Sequence, residues 1–242
     1  MITMYTRSEM LRLLRNKRSF IFSLIFPLAL FLVIAGSTKD AEVQGISFRT
    51  FYMVSMASYG AMIAATSGGA RIAAERSVGW TRQLRITPLP VRTYFSTKVL
   101  TAYAMAIVSI VLLYVAGLVY GVRLESIGRW LGMTALLLVG ILPFVALAIA
   151  VGHLLTIDSM GPAIGGGTAF FGFLGGQWFP LPEGGVLHAI GECLPSYWLT
   201  QASHYGVGAP AWGVKGWVVV GIWSVGMVLL AAWAYRRDTG RV

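Results

Sequence analysis

The chain has 242 residues, of which 57% are hydrophobic and only 12% charged, and it carries a formal net charge of +10 at pH 7. Soluble domains average roughly 25% charged residues, so apolar runs as long and as free of charge as these exclude an ordinary soluble core. The single cysteine, Cys193, excludes an intramolecular disulfide and a cysteine-based metal cluster. The composition therefore predicts an integral membrane protein.

Six apolar segments are long enough to be transmembrane helices, since a span takes about 20 mostly apolar residues. In chain order they are Ser19–Ala35, Thr50–Ala70, Val99–Val122, Trp130–Leu154, Ala163–Phe179 and Val214–Tyr235. Before the first span, residues 4–18 place leucines and arginines on largely opposite sides, which predicts an amino-terminal interfacial helix within 1–18. This helix either anchors the topology or takes part in gating. The expected fold is an all-α integral membrane protein, with residues 1–242 forming one transmembrane domain.

The basic residues are concentrated on one side of the predicted membrane. Fourteen of the 19 Lys and Arg residues fall in segments on the amino-terminal side, so the positive-inside rule predicts a multi-pass protein of the cell membrane with both termini cytoplasmic. An anionic leaflet attracts each juxtamembrane cation by about 1 kcal/mol. Nucleic acid is not an expected partner, because no basic surface with interleaved aromatic residues is set apart from the spans.

The loop at 71–98, between the second and third spans, carries the most distinctive motif. It reads Glu75-Arg76-x-x-Gly79, then Leu84-x-x-Thr87-Pro88-Leu89-Pro90, with Lys98 further on. The proline at 88 disfavours helical backbone at the residue before it, and the proline at 90 suits a first helical position. The segment is therefore predicted to form a short helix, a rigid corner and a return into the membrane.

This motif resembles the cytoplasmic signature of ABC-2 type transporter permeases, whose usual form is Glu-Arg-x-x-Gly-Thr-Leu, then Leu-x-x-Thr-Pro and a later Lys. The chain departs from it by having Trp80-Thr81 where Thr-Leu is commoner. The resemblance implies that the loop forms a coupling helix that docks on a separate ATPase subunit; the alternative is an ordinary positive-inside loop. The residues expected at the ATPase contact are Glu75, Arg76, Gly79, Arg82, Leu84, Thr87, Pro88 and Pro90.

A second match to the same family follows the fifth span, where Phe179-Pro180 ends the span and Leu194-Pro195-x-Tyr197-Trp198 precedes the last helix. Apolar residues recur between these motifs at helical spacing but over too few residues to span. Residues 180–201 are therefore predicted to form a re-entrant outer element. Glu192 is either a functional acid at membrane depth or a headgroup-level acid that meets water. The expected outer gate comprises Phe179, Pro180, Glu192 and Trp198.

The resemblance implies a transport subunit that pairs with a second copy of itself or a homologous permease, and with two copies of a cytoplasmic ABC ATPase. It also implies that the second and fifth spans face the dimer centre, although plain helix packing explains the same side chains. The candidate pathway residues are Met56, Tyr59, Met62, Phe170, Phe171 and Gln177. Methionine and aromatic residues favour small hydrophobic or amphiphilic cargo, such as a drug, an antibiotic or a lipid.

Enzymatic chemistry is not expected in this chain. No Gly-x-x-x-x-Gly-Lys-Ser/Thr motif occurs, so ATP and Mg²⁺ are expected on the partner ATPase and no cofactor is expected here. His153, His188 and His204 are scattered without metal-ligand spacing. Two other functions stay open: a secondary transporter driven by an ion gradient, which would want charged residues in mid-span, and a non-transporting membrane scaffold or immunity subunit.

Overall fold

The computed structural model describes residue 9 and residues 17–37, 42–43, 45–79, 90–182 and 184–239, and these ranges are almost entirely α-helical. The helices are α1 (Lys17–Ser37), α2 (Phe48–Thr66), α3 (Gly68–Ser77), α4 (Val91–Val119), α5 (Ile127–Gly140), α6 (Leu142–Leu154), α7 (Ile157–Leu174), α8 (Val186–Glu192), α9 (Pro195–His204) and α10 (Val214–Thr239). A two-residue antiparallel hairpin, β1 (Glu42–Val43) with β2 (Ile46–Ser47), joins α1 to α2. The all-α prediction is confirmed. The predicted interfacial helix at 1–18 lies largely outside the described residues.

Three helical stretches in the described part of the chain are long and apolar enough to cross a membrane: Val91–Val119, Ile127–Leu154 and Val214–Asp238. A shorter apolar stretch, Ser23–Ile34, lies within α1. The second long stretch combines α5 and α6, which meet at Ile141. The change of helix there has a local cause, because Pro143 lacks the amide proton that would continue the hydrogen-bond ladder. The first, second and fifth predicted spans are helical but fall outside the group of three, so the count of six crossings stays a prediction.

The helix of the fifth predicted span, α7, lies nearer the amino terminus than predicted. The sequence indicated Ala163–Phe179, whereas α7 begins at Ile157 and ends at Leu174. Its end is set by Gly176, whose φ of +71° suits glycine, and the Gln177 amide donates to the Gly172 carbonyl at 2.9 Å. This is the Schellman arrangement. A glycine therefore ends the helix before Phe179-Pro180, where the sequence predicted its end.

The predicted outer element at 180–201 contains two helices, α8 and α9, where the sequence indicated a single apolar stretch with helical spacing. Pro195 does not interrupt a helix, because it is the first residue of α9, where its missing amide costs nothing. The indole of Trp198 donates to the Glu192 carbonyl at 2.9 Å, and the indole of Trp212 donates to the Trp198 carbonyl at 2.8 Å. These tryptophans are buried, so they join α8, α9 and the start of α10 and do not simply form an exposed aromatic belt.

Helix α2 occupies the centre of the bundle. All side chains from Phe51 to Thr66 are buried, because α1, α4, α6, α7 and α9 pack around the helix. Between helices in a bilayer the gain comes from close van der Waals contact more than from expulsion of water. The alanines, serines and glycine of α2 permit that contact.

Contacts between distant residues sort the helix ends into two groups. Helix α3, the carboxyl ends of α6 and α10 and the first turns of α4 meet at one end of the bundle, which we call the basic end. The outer helices α8 and α9 meet the start of α10 and the first turns of α2 at the opposite end. The described residues of the predicted coupling motif lie at the basic end.

Candidate functional site

Helix α3 continues α2 beyond the buried part of the bundle. The two helices are separated only by Ser67, whose backbone is itself helical and whose amide donates to the Ile63 carbonyl at 2.9 Å. α3 ends at Ser77, and Gly79, two residues further on, has a φ of +72° and donates its amide to the Arg76 carbonyl at 3.0 Å. Because α3 continues α2 with helical backbone, the positions of Glu75 and Arg76 are fixed relative to the buried part of α2.

Glu75 is joined to α4 by a buried cation. The ammonium of Lys98 lies 2.5 Å from the Glu75 carboxylate and 3.0 Å from that of Glu9. The three side chains are 15%, 7% and 5% exposed for Glu75, Lys98 and Glu9, respectively. Burial raises the pKa of the Glu75 carboxyl, and Lys98 opposes that rise. Burial likewise lowers the pKa of Arg71, whose charge both carboxylates favour.

Arg76 projects to the other side and binds two further helices. Its guanidinium donates to the Asp238 carboxylate of α10 through Nε at 2.9 Å and lies 2.8 Å from the second carboxylate oxygen through Nη2. Its Nη1 also donates to the carbonyls of Gly152 at 3.1 Å and Leu155 at 3.0 Å, at the end of α6. The last carbonyls of a helix lack partners within the helix and carry its negative dipole end, so a guanidinium is well suited there. His153 completes the group, with Nδ1 3.1 Å from Asp238.

The backbones of α3 and α6 are in direct contact beside these ion pairs. A Cβ atom on Gly69 would lie 2.7 Å from the Ala148 carbonyl oxygen, and one on Gly152 would lie 2.8 Å from the Gly69 carbonyl oxygen. Only glycine permits this approach without displacing one of the helices. We refer to Glu75, Arg76, Lys98, His153 and Asp238 together as the α3 ion-pair network. This network and the glycine contact hold α3 against α4, α6 and α10.

The rest of the predicted ATPase contact is only partly described. Pro90 precedes α4 in extended backbone, with φ −65° and ψ 140°, as predicted for a residue that opens a helix. The predicted contact residues Arg82, Leu84, Thr87 and Pro88 lie outside the described residues. Glu75 and Arg76 are both engaged in ion pairs within the chain.

The predicted pathway residues divide into a buried and an exposed group. Met56, Tyr59, Met62 and Gln177 are at most 2% exposed, whereas Phe170 is 58% exposed on α7. Tyr59 contacts the Trp178 ring edge-to-face at 5.6 Å, and Phe171 meets Phe144 in the same way at 5.4 Å. The oxygen and nitrogen atoms of the Gln177 side-chain amide are buried without a hydrogen-bond partner among the described residues. In a single chain these side chains mostly form packing contacts.

The predicted outer-gate residues surround the junction of α7 with the outer helices. Phe179 is 67% exposed, and Pro180 borders a cavity of about 700 Å³ that His188, Tyr197 and His204 also line. Glu192 pairs with Lys215 at 2.6 Å, and this hydrogen bond holds the pKa of the Glu192 carboxyl below its usual value. Glu192 is therefore a paired surface acid at the junction of α8 and α10.

Sequence reasoning missed three members of the cluster at the basic end: Glu9, His153 and Asp238. Asp238 lies 162 residues from Arg76 along the chain, so no spacing rule links them. One signal was available, because Asp238 is an acid in the last turn of an apolar helix, where the helix dipole favours a cation. An acid in that position indicates a specific cationic partner.

A helical bundle that contains three stretches long and apolar enough to cross a membrane, among the residues that the structure describes, defines a helical membrane protein. A model of the ABC-2 family transporter proteins matches residues 37–235. The chain therefore belongs to the ABC-2 transporter family and is a transport permease, as the cytoplasmic and outer motifs predicted. It is 29% identical over 209 residues to the Bacillus subtilis (strain 168) protein named "Putative transport permease YvfS", over 84% of this chain and 81% of that protein.

Proposed function

We propose that the chain is the membrane-spanning subunit of an ATP-driven exporter, with six crossings, both termini in the cytoplasm and the basic end at the cytoplasmic face. The observation that carries the proposal is the α3 ion-pair network, which joins an extension of the central helix to three other helices. Fourteen of the 19 Lys and Arg residues fall on the side assigned to the cytoplasm, in support of the orientation. ATP and Mg²⁺ would bind two copies of a separate cytoplasmic ABC ATPase.

The geometry of α3 suits the transmission of a mechanical displacement. Closure of the ATPases would press on the segment at 71–98, and α3 would pass the motion directly into α2 through Ser67. Arg76 would carry it into α6 and α10 at the same time, and Lys98 would carry it into α4. A bidentate arginine–carboxylate pair has a fixed geometry as well as strength, so a shift of α3 would move these helices together.

The dimer partner, a second copy or a homologous permease, would meet the exposed face of α7. A Cβ atom on Gly165 or Gly166 would have no neighbour within 4 Å, and Phe170 beside them is exposed. Small residues allow close approach of a second helix in a membrane. The pathway would form between the two copies at α7, with small hydrophobic or amphiphilic compounds as the cargo. The outer element at 180–201 would dip into the outer half of the membrane and return.

The charge distribution disfavours an ion-gradient mechanism. Charged side chains of the helices that the structure describes lie within about the first or last two turns, and Lys98 is the deepest in a long apolar helix. A secondary transporter would want ionisable groups near mid-span. A non-transporting scaffold predicts instead that ATP hydrolysis by the associated ATPase does not respond to any cargo.

The test uses the complex purified with its ATPase, and it needs no knowledge of the cargo. A reporter cysteine replaces Phe179, which is exposed at the opposite end, in a Cys193→Ser background. ATP with Mg²⁺ should change its labelling rate severalfold. Arg76→Gln should remove that change while ATP hydrolysis continues, because α3 is then uncoupled from α6 and α10. Ser77→Ala is the matched control, since Ser77 is exposed and bonds only within α3.

Two results would contradict the proposal. An unchanged ATP response in Arg76→Gln would show that the α3 ion-pair network transmits nothing. A wild-type complex that binds no ATPase, or whose reporter never responds to ATP, would favour the scaffold.

A further inference from the structure

A polar cavity lies beside the α3 ion-pair network at the basic end. It has a volume of about 290 Å³ and is enclosed by α3, α6 and α10. Its lining residues are Arg76, His153, Leu154, Ala234, Arg237 and Asp238. Four of the six carry ionisable side chains, which is unusual beside apolar membrane helices.

The cavity carries a net positive charge. Arg76 and Asp238 neutralise each other as a bidentate pair, which leaves Arg237 as the uncompensated charge. Arg237 makes no ion pair with any residue that the structure describes, and its guanidinium lies 5.3 Å from the centre of the Trp233 ring. An anion that entered the cavity would find a guanidinium already positioned on an aromatic ring.

His153 lines the cavity beside Asp238. Its side chain has no exposed surface, and its Nδ1 lies 3.1 Å from the Asp238 carboxylate. Asp238 is thus held by both Arg76 and His153, so it is not available to neutralise Arg237.

The outer surface of α10 places the cavity at the depth of lipid headgroups. Trp233 is half exposed, as is typical of tryptophans at a membrane interface. On the same face, Ile222, Val225 and Leu229 are more than 60% exposed, and their spacing forms an apolar track that leads toward Trp233. An acyl chain can lie on that track while its headgroup reaches Arg237.

We propose that the cavity binds the phosphate of an anionic phospholipid, such as phosphatidylglycerol. The phosphate pairs with Arg237, and the acyl chains lie along α10. Basic pockets between helices at the cytoplasmic face are suited to such headgroups. Only the assignment to the cytoplasmic leaflet rests on the proposed orientation. The bound lipid would brace α3 against α10 next to the Arg76–Asp238 pair.

The test measures which lipid the full-length chain retains. Protein released from nanodiscs with equal amounts of phosphatidylglycerol and phosphatidylcholine is analysed by native mass spectrometry. The wild type should retain phosphatidylglycerol selectively. Arg237→Gln should lower that retention about tenfold, the effect of losing one charge-assisted contact. Arg237→Lys should restore part of it.

Arg236→Gln is the matched control, because Arg236 has the same charge and is exposed but does not line the cavity. Equal losses in the two glutamine variants would mean general surface attraction and would overturn the site. Absence of selectivity in the wild type would overturn it as well. Inorganic phosphate is added separately to protein in phosphatidylcholine nanodiscs. Thermal stabilisation equal to that by phosphatidylglycerol would identify a free-phosphate site and refute the lipid assignment.

Discussion

Replacing Lys98 with methionine removes the cation that two buried carboxylates share. Glu75 and Glu9, 15% and 5% exposed, would then lose the cation that lies between them, although the charge of Arg71 would still favour both carboxylates. Breaking a buried ion pair by removing one partner costs about 3–5 kcal/mol. Because burial already raises the pKa of Glu75, that acid can take up a proton and relieve part of the repulsion. The lower end, about 3 kcal/mol, is therefore expected.

The assay is thermal unfolding of the purified full-length chain in detergent, followed by size-exclusion chromatography of the heated samples. At roughly 2–4 °C per kcal/mol for a chain of this size, Lys98→Met should lower the midpoint by roughly 6–12 °C. The deficit should narrow as the pH falls, because protonation of Glu75 removes the unpaired charge. Adding Glu75→Gln to Lys98→Met should recover part of the loss for the same reason.

Lys215→Met provides the matched control. Lys215 also pairs with a glutamate at a short distance, 2.6 Å, but its side chain is 58% exposed. Water replaces the lost partner there, so the midpoint should hardly change. Equal shifts for the two lysine variants, or no shift for Lys98→Met, would refute the argument that burial gives the Lys98 pairs their importance.

The remaining predictions concern topology, packing and pH. A cysteine at position 77, in place of Ser77 and with Cys193→Ser, should resist impermeant reagents in intact cells and react in inside-out vesicles. Gly152→Ala should lower the thermal midpoint, because its Cβ would lie 2.8 Å from the Gly69 carbonyl oxygen, whereas Gly165→Ala, with open space, should not. The hydrogen bond from Lys215 holds the pKa of Glu192 below its usual value, so stability from this pair is present above the usual pKa of a glutamate and is lost as the pH falls through the lowered pKa. Because the pair is exposed, that contribution is small, and Glu192→Gln should leave the acid limb of pH-dependent unfolding nearly unchanged.

Each of these has a clear contrary outcome. Efficient labelling of the cysteine at position 77 in intact cells would reverse the orientation. Equal effects of the two alanine substitutions would mean that the α3–α6 contact is not tight. An acid limb of the stability curve that Glu192→Gln clearly weakens would mean that the exposed lysine pair contributes more than a surface ion pair should.

The sequence predicted the helical membrane architecture because long apolar runs with few charges are typical of transmembrane helices. Helix ends were less predictable. α7 ends at Leu174, because the left-handed backbone of Gly176 and two backbone hydrogen bonds close its last turn. α9 begins at Pro195. Both residues were visible in the sequence, but whether a glycine or a nearby proline ends a helix depends on the tertiary contacts of the following residues.

Only the motif residues of the candidate site were predictable from the sequence, and their distant partners were not. The motif contained Glu75, Arg76 and Lys98, but its spacing did not indicate that Lys98 pairs with Glu75. The partners of Arg76 come from α6 and α10, up to 162 residues away, and only the packing of the bundle brings them together. The motif residues turned out to be engaged inside the chain, which adds a positioning role that spacing alone could not indicate.

The central claim is that α3 meets the ATPase, and site-specific photo-cross-linking tests it most directly. Val78 is 74% exposed immediately after α3, and Val214 is 83% exposed at the start of α10. A photoreactive amino acid replaces each residue in turn, in cells that contain the whole transport system. Cross-linking from position 78, and not from position 214, to a protein with an ATP-binding Walker motif is the predicted result. Absence of an ATPase cross-link at position 78, or equal cross-linking from both positions, would contradict the account.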